Sequence, residues 1–247
     1  MTSSDFLGQS VVVTGAASGI GAAAAREFAR MGAAVTIGDI NLKNAEKVAE
    51  SISARARPLD VTSRQDVVRF FDSLETSPGI LVTAAGGAQR CHALDVDDAL
   101  LFDTMQLNLG GFWRCTQEAA RRAISENRSL AVVHVASSLY RGPAPQLSHF
   151  AAAKAASVAM LRCLAQELAR YHIRVNGVVP GPVETPATNA VWESAPEIRE
   201  STRARIPMGR IGDTGDIVPG IVWLASPQAN WVTGSILTID GGLDVCP

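Results

Sequence analysis

Short β-branched runs alternate along this chain with longer alanine-rich stretches, and that alternation narrows the fold more than any other feature. Strands are expected at residues 10–14, 33–38, 56–59, 79–83, 130–135, 173–179 and 235–239. They read as nearly continuous apolar runs, such as Val11-Val12-Val13 and Ile80-Leu81-Val82, the pattern of strands covered on both faces. Helices are expected at 20–31, 42–53, 64–76, 105–126, 150–171 and 216–225, the first stopping before Gly32. Repeated β-α-β units with right-handed crossovers predict an α/β fold, a doubly wound parallel sheet of seven strands with helices on both faces. No linker, charge block or residue-level repeat divides the chain, so residues 1–247 are expected to form one domain. Residues 183–210 break the rhythm with Pro186, Pro196 and Pro207, two short helical patches and scattered charges. Such an insertion after a strand is expected to be a lid over a site.

Composition excludes several classes. Hydrophobic residues make up 47% and charged residues 19%, enough apolar material for a packed core and too much for a disordered chain. Lys plus Arg number 22 against 24 Asp plus Glu, for a net charge of −2, so no basic excess exists to neutralise nucleic-acid phosphates. Cys91, Cys115, Cys163 and Cys246 form no C-x-x-C pair and stand at no zinc-ligand spacing with the four histidines. Reduced thiols and no metal are expected. Residues 1–10 carry no basic stretch followed by an apolar run, and no apolar run approaches the ~20 residues of a membrane span. A soluble cytoplasmic protein with no membrane partner is expected.

The first strand runs into Thr14-Gly15-Ala16-Ala17-Ser18-Gly19-Ile20-Gly21, and a helix follows at once. Backbone N–H groups at a helix N-terminus, favoured by the helix dipole, make a seat for a pyrophosphate. A β-carbon at Gly19 or Gly21 would hold the pyrophosphate off or block helix–strand packing. The strand–turn–helix context makes this a dinucleotide site rather than a plain tight turn. Asp39 ends the second strand, 18 residues after Gly21, where a carboxylate accepts both hydroxyls of an adenosine ribose and repels a 2′-phosphate.

The G-x-x-x-G-x-G spacing, with Thr14 in front, resembles the short-chain dehydrogenase/reductase family in its single-domain branch. The resemblance implies a Rossmann fold, a nicotinamide cofactor and, by analogy with its relatives, a homotetramer built on the helices at 105–126 and 150–171 and on the C-terminal segment. Ser18 is neutral where NADP-preferring relatives often carry Arg or Lys, which together with Asp39 points to NAD. Asp60-Val61 matches the family's adenine-contacting pair, and Ala84 and Gly86 lie in Thr83-Ala84-Ala85-Gly86, where relatives have Asn-Asn-Ala-Gly. Both asparagines are missing, so the hydrogen bonds there must be made differently. In Pro180-Gly181-Pro182-Val183-Glu184-Thr185, the Val183 main chain and the Thr185 hydroxyl would hold the nicotinamide carboxamide. Val232-Thr233-Gly234 and Asp240-Gly241-Gly242 match the family's C-terminal strand region, so the resemblance covers essentially the whole chain.

The family's catalytic machinery is Ser, Tyr and Lys with an Asn behind them. Lys154, in Phe150-Ala151-Ala152-Ala153-Lys154, matches its Tyr-x-x-x-Lys helix start, and would hold the nicotinamide ribose. Four residues back stands Phe150 rather than tyrosine, and thirteen residues before that stands Ser137. Positions i and i+4 share one helix face. Ser137 would orient a substrate carbonyl, and Asn108 in Asn108-Leu109-Gly110-Gly111 would support a water. Phenylalanine keeps the ring and loses the one atom that titrates, so the implied NAD-dependent interconversion of a secondary alcohol and a ketone is expected to be impaired rather than abolished. Four readings stay open: a relocated acid, with Tyr140 expected to face the pocket in the manner of an enoyl- or dienoyl-type reductase; an engineered Tyr-to-Phe change; a water held by Ser137, Lys154 and Asn108; and an inactive cofactor-binding sensor or scaffold. His149, next to Phe150, should point elsewhere, since neighbouring helix residues differ by about 100°. His92 and His172 read as surface or loop residues. Trp113, Trp192, Trp223 and Trp231 read as packing residues, with Trp192 placed to touch substrate. The insertion is apolar and mixed in charge and gives no sign of a strongly anionic ligand.

Overall fold

Seven parallel strands in the order β3-β2-β1-β4-β5-β6-β7 form the centre of the molecule. They are β1 Ser10–Thr14, β2 Ala34–Asp39, β3 Arg55–Pro58, β4 Ile80–Thr83, β5 Leu130–Val135, β6 Ile173–Pro180 and β7 Ile236–Ile239. The structure, a computed structural model, describes residues 6–245. Residues 1–5 and Cys246, on which the expectations about a leader and a fourth thiol partly rest, lie outside the described residues. The strands match the expected seven to within a residue or two at their ends, and the sheet is the doubly wound one expected.

Burial explains why the strands read as unbroken apolar runs. Val11, Val13, Val82 and Val133 face one way, onto the alanine-rich helix α1 (Gly19–Arg30) and α9 (Thr214–Ala225). Their neighbours Val12, Leu81 and Val132 face the other way, onto α3 (Arg64–Asp72), α5 (Gly111–Ser125) and α6 (Ser148–Leu168). The period of two is present, but both phases are buried. Alanine lines the first turns of α1, with Ala22, Ala24 and Ala25 buried, so the helix lies close to the sheet.

Several helix boundaries depart from expectation for local reasons. α2 (Leu42–Glu50) stops short because Ser53 takes a left-handed φ of 52°. α3 ends at Asp72, where the Ser73 hydroxyl turns back to donate to the Phe70 carbonyl at 2.6 Å. The helix expected at 105–126 is α5, entered through a widened π turn at Gln106–Gly110, and a helix that was not expected, α4 (Asp98–Met105), precedes that turn. Asp97 caps α4 by accepting from the Leu100 N–H at 2.7 Å. In the insertion, α7 (Pro186–Ser194) and α8 (Pro196–Ala204) are the two expected patches, each begun by a proline at its first turn.

β1 pairs with β2 on one side and β4 on the other. The chain winds outward from this junction in both directions, which makes it the topological switch point, where a crevice opens at the C-terminal ends of the strands.

Candidate active site

The glycine turn closes that crevice from below. Gly15 and Gly19 hold φ of 68° and 56°, and a β-carbon on Gly15 would lie 2.4 Å from the Ala85 nitrogen. At Gly21 it would lie 2.3 Å from the Gly15 carbonyl oxygen, so α1 packs against its own turn only because Gly21 has no side chain. At Gly19 it would touch the Thr185 methyl at 3.5 Å, an ordinary contact, so glycine is favoured there by the left-handed φ rather than by space. Ser18 precedes α1 without capping it, which leaves its exposed hydroxyl and the first helical N–H groups available to an anion. Asp39 reaches the turn from β2: one carboxylate oxygen accepts from the Ala17 N–H at 2.9 Å and the other from the Asn41 N–H at 2.8 Å. Asp60 accepts from the Thr62 N–H and hydroxyl at 2.8 and 2.7 Å, forming a closed loop beside the buried Val61.

A cavity of about 590 Å³ extends from Ile20 over the strand ends, and its wall brings together Ser137, Phe150 and Lys154. Ala84, Gly86, Val183 and Thr185 line it as well. Ser137 lies just past β5 and starts a short 3-10 turn, its hydroxyl accepting from the Leu139 N–H at 3.3 Å. Lys154 is buried on α6 and donates to the Val135 carbonyl at 3.0 Å. An ammonium has three donors, and this is the one hydrogen bond it makes among the described residues, so two donors remain for a ligand. Burial pulls its pKa down to about 8. The ammonium lies 5.5 Å from the centre of the Phe150 ring. Thr185 caps α7 in a reciprocal pair with Thr188, whose hydroxyl also donates to the Val183 carbonyl at 2.6 Å.

Asn108 is not on the cavity wall. Its side chain is spent on backbone, donating to the Gly87 and Thr104 carbonyls at 2.8 and 3.0 Å and accepting from the Gly87 N–H at 3.1 Å. It braces the loop after β4 from the π turn, one layer behind Lys154, so the expected water-holding role does not fall to its side chain. Tyr140 also corrects the expectation. It packs against Ala136, Val158 and Val179, its hydroxyl buried without a hydrogen-bond partner, and it does not line the cavity. His149 points away as expected, 3.1 Å from the Gln89 carbonyl. His92 and His172 are exposed. Trp231 is fully exposed at 101% and Trp113 lies exposed under the Arg64 guanidinium, so neither is a packing residue. Trp192 is buried against Ile206 and Ile211 and lines the cavity as well.

The site also contains a residue that sequence reasoning passed over. His134 is buried in mid-strand on β5, stacked on Phe112. Its Nδ1 lies 2.9 Å from the Thr83 hydroxyl and its Nε2 3.1 Å from the Ser157 hydroxyl. Ser157 spends its proton on the Lys154 carbonyl at 2.8 Å, so Nε2 must donate and Nδ1 must accept from Thr83. Burial, and then the Lys154 charge, push His134 well below the ordinary histidine range, which keeps it neutral. This chain of hydrogen bonds ties β4, β5 and the helix bearing Lys154 together, and it stands where the family's first asparagine is missing. A lone histidine inside an apolar strand was the available signal, since a buried imidazole needs partners. The Cys115 thiol, pushed up to about 12 by burial, is inert.

Residues 15–244 match the family described as enoyl-(acyl carrier protein) reductase. The chain belongs to the short-chain dehydrogenase/reductase family. Members of this oxidoreductase family bind a nicotinamide cofactor, NAD or NADP. The chain is 35% identical to the 3-oxoacyl-[acyl-carrier-protein] reductase FabG of Thermotoga maritima, over 96% of its length and 98% of that protein. It is 37% identical to the L-rhamnose 1-dehydrogenase (NAD(P)(+)) of Azotobacter vinelandii, over 97% and 98%. A solved short chain dehydrogenase/reductase family protein superposes with a TM-score of 0.89 at 30% identity, covering 98% of this chain and all of that one. Among the described residues, no helix is long and apolar enough to cross a membrane.

Proposed function

We propose that this protein is an NAD(H)-dependent oxidoreductase that interconverts a secondary alcohol and a ketone with its phenol acid replaced by Phe150. The observation that carries this reading is the meeting of Ser137, Phe150 and Lys154 on one cavity wall at the switch point. The residues present fit a dinucleotide: the first N–H groups of α1 after Ser18 carry no side-chain cap, Asp39 presents a carboxylate beside them, and Lys154 keeps two free donors. Asp39 favours NAD over NADP, because a 2′-phosphate there would meet a like charge. Asp60, Val61, Ala84 and Gly86 would flank the adenosine and ribose, while Val183 and Thr185 would hold the carboxamide.

When bound, the nicotinamide supplies or accepts the hydride. Ser137 then orients the carbonyl by donating to the oxygen on which charge develops. Lys154 holds the ribose and, through a water in the space vacated by the phenol, delivers the proton to that oxygen. Phe150 excludes bulk solvent without exchanging a proton. The buried, unpartnered hydroxyl of Tyr140 speaks against an enoyl-type reductase that uses it. Residues 183–210 would act as the lid of a single domain spanning 1–247. Exposed Phe102, Trp113 and Ile124 on α4 and α5 support a homotetramer, and the unpaired Cys91, Cys115 and Cys163 support a cytoplasmic location.

The test is turnover of a panel of ketones with NADH in the unaltered chain beside Phe150→Tyr. Slow turnover that the phenol accelerates supports the proposal. Absence of turnover in both proteins, with NADH bound, assigns the chain to the sensor or scaffold class instead.

A further inference from the structure

Charge is distributed unevenly around the cavity. The side chains on its wall include Arg90, Arg141, Arg205 and Lys154 but a single carboxylate, Asp244, in a chain whose net charge is −2. Asp244 is already taken, paired with Arg141. Arg90 and Arg205 have no carboxylate within salt-bridge distance among the described residues.

The arginines of the insertion sharpen the contrast. Arg199 pairs with Glu184, Arg203 with Glu200 and Arg210 with Asp216 at 2.6 Å. Arg205, at the end of α8, is the exception, and of these four it is the one that lines the cavity. Arg90 is held from the other side, its guanidinium donating to the Gln146 side chain at 3.3 Å and the Pro145 carbonyl at 3.4 Å. Those bonds orient the group and leave its charge uncompensated.

The dinucleotide phosphates do not account for these cations. None of the three arginines is bonded to the glycine turn. Arg90 and Arg141 belong to or lean on the 141–147 loop that feeds α6. Arg205 follows α8 beside Ile206, which packs with Leu243 of the C-terminal turn, next to Asp244. These segments form the rim over Ser137 and Phe150, the substrate side. Guanidinium groups are weakly hydrated forks matched to the paired oxygens of a carboxylate or phosphate.

We infer that the site takes an anionic carbonyl or alcohol substrate, with Arg90 and Arg205 receiving its carboxylate or phosphate at the cavity rim and Ser137 its carbonyl. This deepens the proposed function and rests on its assignment of Ser137. The insertion alone, mixed in charge, carries no such sign; the cations come from three separate stretches of sequence.

The experiment measures binding, so the missing phenol does not interfere. Methyl-ketone acids of increasing length (4-oxopentanoate, 6-oxoheptanoate and 8-oxononanoate) are titrated against their carboxamides, and dihydroxyacetone phosphate against dihydroxyacetone. Titrations use the full chain, free and saturated with NADH. At least one acid or the phosphate should bind about tenfold or more tightly than its neutral partner, with the preference shrinking as salt is added. Arg90→Ala and Arg205→Ala should each remove most of that preference and leave the neutral ligand and NADH unchanged, whereas Arg203→Ala should leave it intact. Whichever arm shows the preference distinguishes carboxylate from phosphate. Equal binding of charged and neutral partners, no binding by any anion, or a preference that survives both arginine changes overturns the inference. NADH binding in those cases leaves the oxidoreductase reading standing, and failure of NADH to bind removes that reading while anion binding to the free chain is still read directly.

Discussion

The two ends of the cavity are built on different terms. At the glycine turn, the carboxylates are held by neighbouring backbone: Asp39 accepts from the Ala17 and Asn41 N–H groups, and Asp60 from the Thr62 N–H. What stays open there is the uncapped N-terminus of α1 after Ser18. At the Ser137–Phe150–Lys154 end, a buried ammonium has a single acceptor and the group that should stand between it and the substrate is a hydrocarbon ring. A binding seat made of backbone tolerates loss of a side chain elsewhere, because its donors belong to the turn itself. A proton path made of one hydroxyl does not. On the proposed reading, holding a cofactor and exchanging a proton rest on different parts of the molecule, so a change at one should leave the other intact.

The largest expected effect restores the broken end. Phe150→Tyr should raise kcat for ketone reduction by about 10²–10⁴, the usual worth of a positioned acid, while the NADH dissociation constant stays within about twofold. A rise in cofactor affinity instead would join the two ends that the comparison separates. Next comes the intact end: Asp39→Asn should shift the NADPH-to-NADH preference by about tenfold towards NADPH, read by titration, since the change removes the charge facing a 2′-phosphate and keeps the shape.

Acidity sharpens the comparison further. With its pKa drawn to about 8 by burial, Lys154 carries its proton below that pH and loses it above. Steady-state reduction in the unaltered chain should be flat below about pH 8 and fall roughly tenfold per unit above it, and alcohol oxidation should rise over the same range. A profile that passes through pH 8 without a break would place the proton source elsewhere. The smallest effect belongs to Tyr140→Phe, which removes a buried, unpartnered hydroxyl outside the cavity. Turnover should change less than about twofold and thermal stability should hold or improve, because no hydrogen bond is lost.

The strands were legible because both phases of each run are apolar, and Gly15, Gly19 and Gly21 were legible because the turn they form is local in sequence, with Asp39 reaching it from the next strand. Other features were set by partners far along the chain. The π turn at Gln106–Gly110 depends on Asn108 reaching Gly87, and α4 lacks an apolar stripe, so only the Asp97 cap marked its start. Tyr140 lies close to Ser137 in sequence yet turns into the apolar cluster under β5 and β6, which no spacing rule reveals. The Thr83–His134–Ser157 chain joins three elements and needed the register of β4 on β5 to be seen.

Calorimetric titration of the unaltered chain with NADH and then NADPH tests most directly whether the cofactor end is complete without the phenol. Saturable binding of one NADH per chain is expected, at least about tenfold tighter than NADPH. Absence of NADH binding, or tighter binding of NADPH, would contradict it.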